Sequence, residues 1–259
     1  MTKIAPMQKA SREWREKGLR VALVPTMGAL HEGHLALIRR AKGLADRVVV
    51  SAYVNPTQFN SSQDLKRYPR RPQADAAGAK AAGADVLFRP TNLYAPDAST
   101  WVEETVCSQG RCGKRRPGHF RGVATVVAKL LHIVQPDVAV FGEKDRQQCE
   151  VMERMVRDLF LPVRIVRHPV IRERDGLPLS SRNLRLSAAQ RRTAGAWSQM
   201  LAKAVRTGRG KALSRYRQGL KQISGIRPEY AEIKNGSLHA AVWVGGVRLI
   251  DHRPCGGSR

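Results

Sequence analysis

Two histidines three positions apart, His31 and His34, are the side chains best placed in this sequence to assist reactions of phosphate groups. A short apolar segment at residues 21–24 precedes them, then a Pro-Thr-Met-Gly turn, and an apolar-periodic segment begins near Gly33. A strand, a tight loop and a helix in this order leave unpaired N–H groups and the positive end of the helix dipole at the loop, where anions bind. There both imidazoles could donate to phosphate oxygens during phosphoryl or nucleotidyl transfer.

A metal site is a weaker interpretation of the same region. The metalloprotease pattern requires two histidines four positions apart within a helix, and here the spacing is three. Cys107, Cys112 and His119 could supply three ligands, but a fourth at the usual spacing is missing. We therefore predict no metal bound by protein side chains, and we expect the four cysteines to be reduced thiols.

The composition is strongly basic. Lys and Arg number 46 against 21 Asp and Glu, a formal charge of +25 in 259 residues. This balance is typical of nucleic-acid-binding proteins, but it also describes a solvated surface that attracts anions without defining a function. No apolar run approaches the roughly 18 to 20 residues of a membrane span, and the polar N-terminus is unlike a secretory signal. We expect a cytoplasmic protein.

Buried strands and amphipathic helices are predicted to alternate along the first two thirds of the chain. The strand patterns cover residues 21–24, 47–54, 85–88, 137–141 and 161–166, and the helical patterns cover residues 7–17, 73–82 and 122–134. We expect residues 64–71 to be a polar connection and residues 91–121 to be loop-rich. The alternation predicts an α/β fold, a Rossmann-like parallel sheet with helices on both faces.

The composition changes near residue 175. Residues 182–221 contain eleven Lys or Arg and no Asp or Glu, on a helix that starts with a capping box of Ser187 and Gln190. A second short helix and strands near residues 229–233 and 241–250 are predicted to follow. The expected domains are a Rossmann-like catalytic domain over residues 1–174 and a smaller C-terminal α+β lid domain over residues 175–259.

Polar residues follow further predicted strands, and the carboxyl ends of parallel strands meet at one edge of a sheet. Asn55 and Gln58 follow the second strand, and their amides suit a polar substrate with hydroxyl and carboxylate groups. Lys144, a compact phosphate-binding charge, and Asp145, an acceptor for ribose hydroxyls, follow the fourth strand. Gln148 lies one helical turn further on.

Two loops could contact phosphates. Residues 111–121 contain five Lys or Arg and no acid, which suits a mobile flap over phosphates and would equally suit contact with nucleic acid. The segment from Ser180 to Arg182 could be an ordinary polar turn or a clamp on a triphosphate.

Five motifs in register resemble the pantoate–β-alanine ligase (pantothenate synthetase) family of the His-x-Gly-His nucleotidyltransferase superfamily. The motifs occupy residues 25–34, 55–59, 116–123, 141–145 and 179–183. Their order and spacing cover residues 20–190, and the likeness continues more weakly to residue 251. Three features depart from the family. The family usually has an aromatic residue at the position of Arg146, its C-terminal domain is usually longer, and its members are usually less basic.

The resemblance implies a two-step condensation. Pantoate attacks the α-phosphorus of ATP to give pantoyl adenylate and pyrophosphate, and β-alanine then displaces AMP to give pantothenate. ATP would enter with Mg²⁺, held mainly by the phosphates, and the protein would be a homodimer. No membrane partner is expected, and nucleic acid would bind only non-specifically to the basic surface.

The resemblance also assigns roles to individual residues. His34 would be the acid and, with His31 and Lys144, would form the catalytic group. The implied ATP-binding residues are Met27, Gly28, Ala29, Leu30, His31, Glu32, Gly33, His34, Gly142, Glu143, Lys144, Asp145, Ile171, Leu179, Ser180, Ser181 and Arg182. Gln58 and Gln148 would hold pantoate, Gln58 would also adjoin β-alanine, and Asn55 would support this pocket.

Two other functions fit part of the pattern. A different His-x-Gly-His nucleotidyltransferase would share the histidines but has no need of the Asn-Pro-x-Gln-Phe segment. A nucleic-acid-binding protein on this scaffold would account for the acid-free residues 182–221, but the nearly complete motif set argues against it.

Overall fold

The computed structural model describes residues 1–256 and divides them into two compact units. The first unit extends from Met1 to Pro169 and the second begins at Val170, whereas the sequence pattern placed the division after residue 174. A five-stranded parallel sheet flanked by helices forms the first unit, and a three-stranded antiparallel sheet with two helices forms the second. The predicted fold class is confirmed.

The strands of the first unit are β1 (Val21–Thr26), β2 (Arg47–Ala52), β3 (Val86–Phe88), β4 (Val138–Gly142) and β5 (Arg164–His168). Its helices are α1 (Ile4–Glu16), α2 (Glu32–Lys42), α3 (Ser62–Lys66), α4 (Pro72–Ala81), α5 (Arg111–Arg115), α6 (His119–Val134) and α7 (Arg146–Asp158). The sheet order is β3-β2-β1-β4-β5, so the chain fills one side of β1 first and then crosses to the other.

Continuous apolar runs produce these strands because both faces of a parallel sheet are covered. Residues 21–24 of β1 and residues 48–50 of β2 are fully buried. Leu37 and Ile38 of α2 pack in one apolar cluster with alternate residues of these strands, Ala22, Val24, Val48 and Val50. Since β1 pairs in parallel with both β2 and β4, the carboxyl ends of these three strands lie at one edge.

Several predicted boundaries in the first unit are wrong. Residues 64–71 overlap α3, which forms because the Ser61 hydroxyl accepts from the Asp64 N–H and caps the helix. The loop-rich segment contains α5, and α6 begins at His119 rather than residue 122. Helix α1 begins at Ile4 instead of residue 7, and β5 begins at Arg164 instead of residue 161.

The second unit contains α8 (Ala188–Val205), α9 (Arg209–Leu220), β6 (Ile226–Lys234), β7 (Ser237–Val244) and β8 (Val247–Pro254). The predicted capping box is confirmed: Gln190 N–H donates to the Ser187 hydroxyl at 3.3 Å. The single strand predicted at residues 241–250 is wrong, because Gly245 and Gly246 have positive φ angles and reverse the chain between β7 and β8.

All four cysteines are free thiols. Among the helices within residues 1–256, none combines the length with the apolar character needed to cross a bilayer.

The buried Trp197–Tyr216 pair offers a test of the second unit's core. Trp197 Nε1 donates to the Tyr216 hydroxyl at 3.0 Å, and both side chains are almost completely buried. In the Tyr216→Phe variant the indole N–H loses its acceptor, so we expect the free energy of unfolding to fall by about 1–3 kcal/mol. Urea unfolding of the full chain measures this change, and a stability equal to that of the unmodified chain would contradict it.

Candidate active site

The histidine-containing loop lies at the carboxyl edge of the parallel sheet, where β1 and β4 are neighbours. The chain order changes direction at this point, which is where open α/β sheets bind ligands. The loop after β1 carries His31 and His34, the loop after β2 carries Gln58, and the segment after β4 carries Lys144. The first unit therefore brings three of the predicted strand-end motifs to one edge.

The buried carboxylate of Asp75 fixes the loop after β1. Its oxygens accept from the N–H groups of Ala29 at 3.0 Å and Leu30 at 2.7 Å. The Thr26 hydroxyl accepts from the Gly28 N–H at 3.1 Å. Gly28 has a φ of +78°, and a Cβ there would lie 3.0 Å from an Asp75 oxygen, so this position requires glycine. The loop conformation is thus set before any ligand binds.

The two imidazoles lie against each other at the start of α2. Their ring centroids are 4.0 Å apart and the ring planes are inclined by 30°. His34 Nδ1 accepts from the His31 backbone N–H at 3.4 Å, so in the neutral ring the proton is on Nε2. Glu32, between them in sequence, is exposed and its carboxylate is paired with Arg39.

Both histidines have a lowered pKa. Burial away from water is the main cause and brings the pKa of His31 to about 4 and that of His34 to about 3. The Lys144 charge lowers both values further, and the carboxylate of Asp145 opposes it. Both imidazoles are therefore neutral at pH 7, and the segment after β4 is close enough to act on them electrostatically.

Lys144 supplies the positive charge of this segment. It is partly exposed, and its Nζ lies 3.8 Å from an Asp145 carboxylate oxygen. The carboxylate of Glu143 lies 3.6 Å from Arg167 Nη1 of β5. Because Glu143 is paired in this way, the side chain of Lys144 and the backbone from Gly142 are the groups of this segment best suited to an anion.

Asn55 and Gln58 adjoin the histidine loop through Met27. Asn55 is almost completely buried, and its Nδ2 donates to Gln58 Oε1 at 3.1 Å. Gln58 Nε2 contacts the Met27 sulfur at 3.2 Å. The structure thus joins the second predicted motif to the first.

The two glutamines at the start of α7 have different environments. Gln147 is buried, and its amide accepts from the Cys112 N–H at 3.0 Å and donates to the carbonyls of Cys107 and Gln109 at 3.0 and 3.1 Å. Gln148 is half-buried in the first turn of α7. Gln147 therefore holds a loop, and Gln148 remains the ligand-binding candidate.

Arg146 is tied to its own helix. Its Nε lies 3.7 Å from the carboxylate of Glu150, four residues along α7, and Glu150 also pairs with the buried Arg111. Arg146 thus shares a carboxylate with a second arginine.

The predicted flap over phosphates is not supported for much of residues 111–121. Arg111 is 3% exposed and paired with Glu150, and Arg116 donates to the backbone carbonyl of Gln58. Arg121 lies over the Trp101 ring, 5.0 Å from its centroid. These three cations have contacts within the protein.

The remaining predicted site residues belong to the second unit, where they form one loop. Leu179 N–H donates to the Ile171 carbonyl at 3.0 Å, so these two residues are neighbours. The Ser180 hydroxyl accepts from the Arg182 N–H at 3.3 Å, and Ser181 between them is buried.

Sequence reasoning missed Asp75, and it placed His119 in a rejected metal site, in the basic segment 111–121 and in the motif at residues 116–123 without assigning it a supporting role. An acid in the first turn of a helix is common because it interacts favourably with the helix dipole, so Asp75 carries no distinctive signal. No group of three or more His, Cys, Asp or Glu capable of holding a metal ion is found within the described part of the chain.

Comparison with known protein families gives a match over nearly the whole chain. The family model described as pantoate-beta-alanine ligase matches residues 1–254. Pantothenate synthetase from Chelativorans sp. (strain BNC1) is 45% identical over 271 residues, covering 97% of this chain and 95% of that protein. Pantothenate synthetase from Thermotoga petrophila is 44% identical, covering 96% of each.

Solved structures agree with these sequence matches. The crystal structure of pantothenate synthetase from Thermus thermophilus superposes with a TM-score of 0.91 at 38% identity and covers 99% of each chain. Pantoate-beta-alanine ligase from Francisella tularensis, complexed with beta-gamma ATP and beta-alanine, gives a TM-score of 0.88 at 35% identity, covering 98% of this chain and 96% of that one.

Removing one oxygen acceptor from Asp75 should disturb the loop after β1. An Asp75→Asn side chain keeps the size but cannot accept from both the Ala29 and Leu30 N–H groups, so we expect a loss of about 1–3 kcal/mol in stability and weaker nucleotide binding. Urea unfolding and calorimetric titration with ATP measure the two effects. Asp97→Asn, at an exposed position, is the matched control. Equal stability and equal ATP affinity of the two variants would contradict the role of Asp75 in fixing the loop.

The lowered histidine pKa values predict a pH-dependent stability. Between pH 6.5 and about 4 the unfolded chain binds protons at His31 and His34 that the folded chain does not, so stability falls as the pH falls through this range. We expect the double variant His31→Asn/His34→Asn to lose less stability between pH 7 and pH 5 than the unmodified chain. Urea unfolding at both pH values tests this, and equal losses would refute it.

Proposed function

Since this chain belongs to the pantoate–β-alanine ligase family, we propose that it joins (R)-pantoate to β-alanine through a pantoyl-adenylate intermediate. In the first step a pantoate carboxylate oxygen bonds to the α-phosphorus of ATP, and the bond from that phosphorus to the bridging oxygen breaks, releasing pyrophosphate. In the second step the β-alanine nitrogen bonds to the acyl carbon, the carbon–oxygen bond to the phosphate breaks, and AMP leaves. The amine proton passes to solvent.

One observation carries this proposal. Two neutral imidazoles, the Lys144 ammonium and the Asn55–Gln58 amides are held together at the switch point of a parallel sheet. Adenylation needs a triphosphate and a carboxylate to be aligned and their repulsion to be reduced, which is what cationic and hydrogen-bonding groups on a rigid sheet edge achieve.

The nucleotide would bind along the backbone from Met27 to His34 and along Gly142 to Asp145. Asp75 fixes the first segment, and the N-terminus of α2 offers N–H groups to phosphate. Lys144 would neutralise charge on the phosphates, and Asp145 would accept from the ribose hydroxyls.

The histidines would stabilise charge that develops on the phosphates. A neutral imidazole donates through one nitrogen, and for His34 the tautomer makes that nitrogen Nε2. An arriving triphosphate raises the pKa of a nearby imidazole and so favours its protonation, and in the protonated form His34 would act as the acid of the reaction. His31 would bind phosphate beside it.

Pantoate would lie beside Gln58 and Gln148, with Asn55 supporting the pocket and Gln58 adjoining β-alanine. Amides suit this substrate because they bind hydroxyl and carboxylate groups without adding charge. The Francisella tularensis relative is complexed with beta-gamma ATP and beta-alanine, which supports the same ligand classes here.

The loop of the second unit would close on the adenine and triphosphate. Ile171 and Leu179 are apolar residues joined by a backbone hydrogen bond and are suited to a base, and the residues from Ser180 to Arg182 offer hydroxyls and a guanidinium to phosphates. In this role the second unit, placed at residues 175–259 by the sequence pattern, is a lid.

Magnesium would enter as part of the ATP complex and be held mainly by the phosphates. Mg²⁺ prefers oxygen ligands and commonly binds through substrate phosphates, so in this proposal the ion belongs with the substrate.

We place the protein in the cytoplasm as a homodimer. Four free cysteines fit a reducing compartment. The +25 charge would give non-specific, salt-sensitive attraction to nucleic acid without a specific complex. The family match over residues 1–254 favours the ligase over other nucleotidyltransferases and over a nucleic-acid-binding role.

Pyrophosphate exchange into ATP tests the first step. We expect exchange to require pantoate, and we expect His34→Ala and Lys144→Ala to slow it by about 10²-fold or more, the scale of losing one preorganised donor. Alanine at the exposed His132 and Lys80 provides matched controls that should leave the rate unchanged. Exchange that proceeds equally well without pantoate would refute the ligase assignment.

A further inference from the structure

Resting on the proposed function, we propose that His119, Arg116 and Gly122 are positioning residues that hold Gln58 in the orientation required for pantoate. These residues belong to the Arg-Pro-Gly-His-Phe-Arg-Gly segment, whose cations suggested a phosphate flap from sequence alone. Instead, the segment packs against the loop that carries Gln58.

The backbone carbonyl of Gln58 accepts two hydrogen bonds from this segment. His119 Nδ1 lies 2.9 Å from the carbonyl oxygen, and Arg116 Nη2 donates to it at 3.1 Å. Arg116 Nη1 also lies 2.9 Å from His119 Nε2. A guanidinium can only donate, so Nε2 must accept and the ring proton must be on Nδ1, facing the carbonyl. One arginine thus fixes both the tautomer of His119 and the position of the Gln58 backbone.

The side-chain amide of Gln58 is oriented by Asn55, which is itself held by Gly122 of the same segment. Asn55 Nδ2 donates to Gln58 Oε1 at 3.1 Å and to the Gly122 carbonyl at 3.0 Å. Because Oε1 is the acceptor for Asn55, the Nε2 donors are directed toward the Met27 side of the loop after β1. Gln58 is therefore set up to donate a hydrogen bond, which suits a carboxylate or hydroxyl oxygen of a hydroxy acid.

Close contact of α6 with the same loop requires glycine at position 122. A Cβ on Gly122 would lie 2.5 Å from the Thr57 carbonyl oxygen and 2.9 Å from the Gln58 backbone nitrogen. Both neighbours are backbone atoms, so the helix or the loop would have to move. Since the backbone of Gly122 is ordinary helix, the requirement comes from this contact and not from its φ angle.

Substitutions at His119 test the role of its donor. His119→Phe keeps a ring but has no N–H group, whereas His119→Asn keeps a donor near the position of Nδ1. We expect the Phe variant to raise the KM for pantoate in pyrophosphate exchange by about tenfold, with the KM for ATP changed less than twofold, and the Asn variant to restore most of the loss. An unchanged KM for pantoate in the Phe variant, or equal losses in both variants, would overturn the proposal.

Substitution of Gly122 tests the close contact. We expect Gly122→Ala to raise the KM for pantoate by at least about tenfold, while Gly43→Ala in α2's cap, where a Cβ makes only ordinary contacts, behaves as the unmodified chain. Equal increases in the KM values for pantoate and ATP would contradict a role specific to Gln58. If the unmodified chain shows no pantoate-dependent exchange, the ligase proposal fails; normal exchange with unaffected variants overturns the positioning role alone.

Discussion

Parallel pairing around β1 is the constraint on which the site depends. Pairing runs from Val21–Arg47 to Thr26–Ala52 on one side and includes Leu23–Ala139 on the other, so β1, β2 and β4 end at one edge. Three loops distant in sequence are thereby brought together without forming a continuous segment. The buried valines and alanines of these strands set the arrangement because exposing their apolar faces would cost more than any single polar contact at the edge contributes.

Electrostatics at this edge favour an anion. The negative charge of Asp75 is compensated within the protein, because both of its oxygens accept hydrogen bonds from the backbone N–H groups of Ala29 and Leu30. Two histidines remain uncharged because burial and Lys144 oppose their protonation. The site therefore combines the Lys144 ammonium, which the Asp145 carboxylate partly balances, with neutral donors that strengthen when negative charge arrives, an arrangement suited to a reaction in which phosphate charge shifts.

The excess of basic residues remains on the surface after many acidic residues have paired with arginines. Many acids are engaged by arginines, as in the Arg111–Glu150, Arg172–Asp251 and Arg248–Glu229 pairs. These pairs leave a surplus of Lys and Arg on the surface, including Lys203, Arg206, Arg215 and Lys221 of the second unit, all of which are exposed.

Local sequence determined the elements and the motifs at the strand ends. Hydrophobic periodicity identified every strand of the parallel sheet, because buried strands and amphipathic helices have distinct periods, and the loops after β1, β2 and β4 revealed the candidate chemistry. Tertiary structure alone decided which side chains support that chemistry. Asp75 resembles any acid at a helix start, and Arg116 and His119 resemble a mobile phosphate clamp, until folding places them against Ala29, Leu30 and the Gln58 carbonyl. These contacts join residues 45 to 61 positions apart, and no local pattern encodes a hydrogen bond over such a separation.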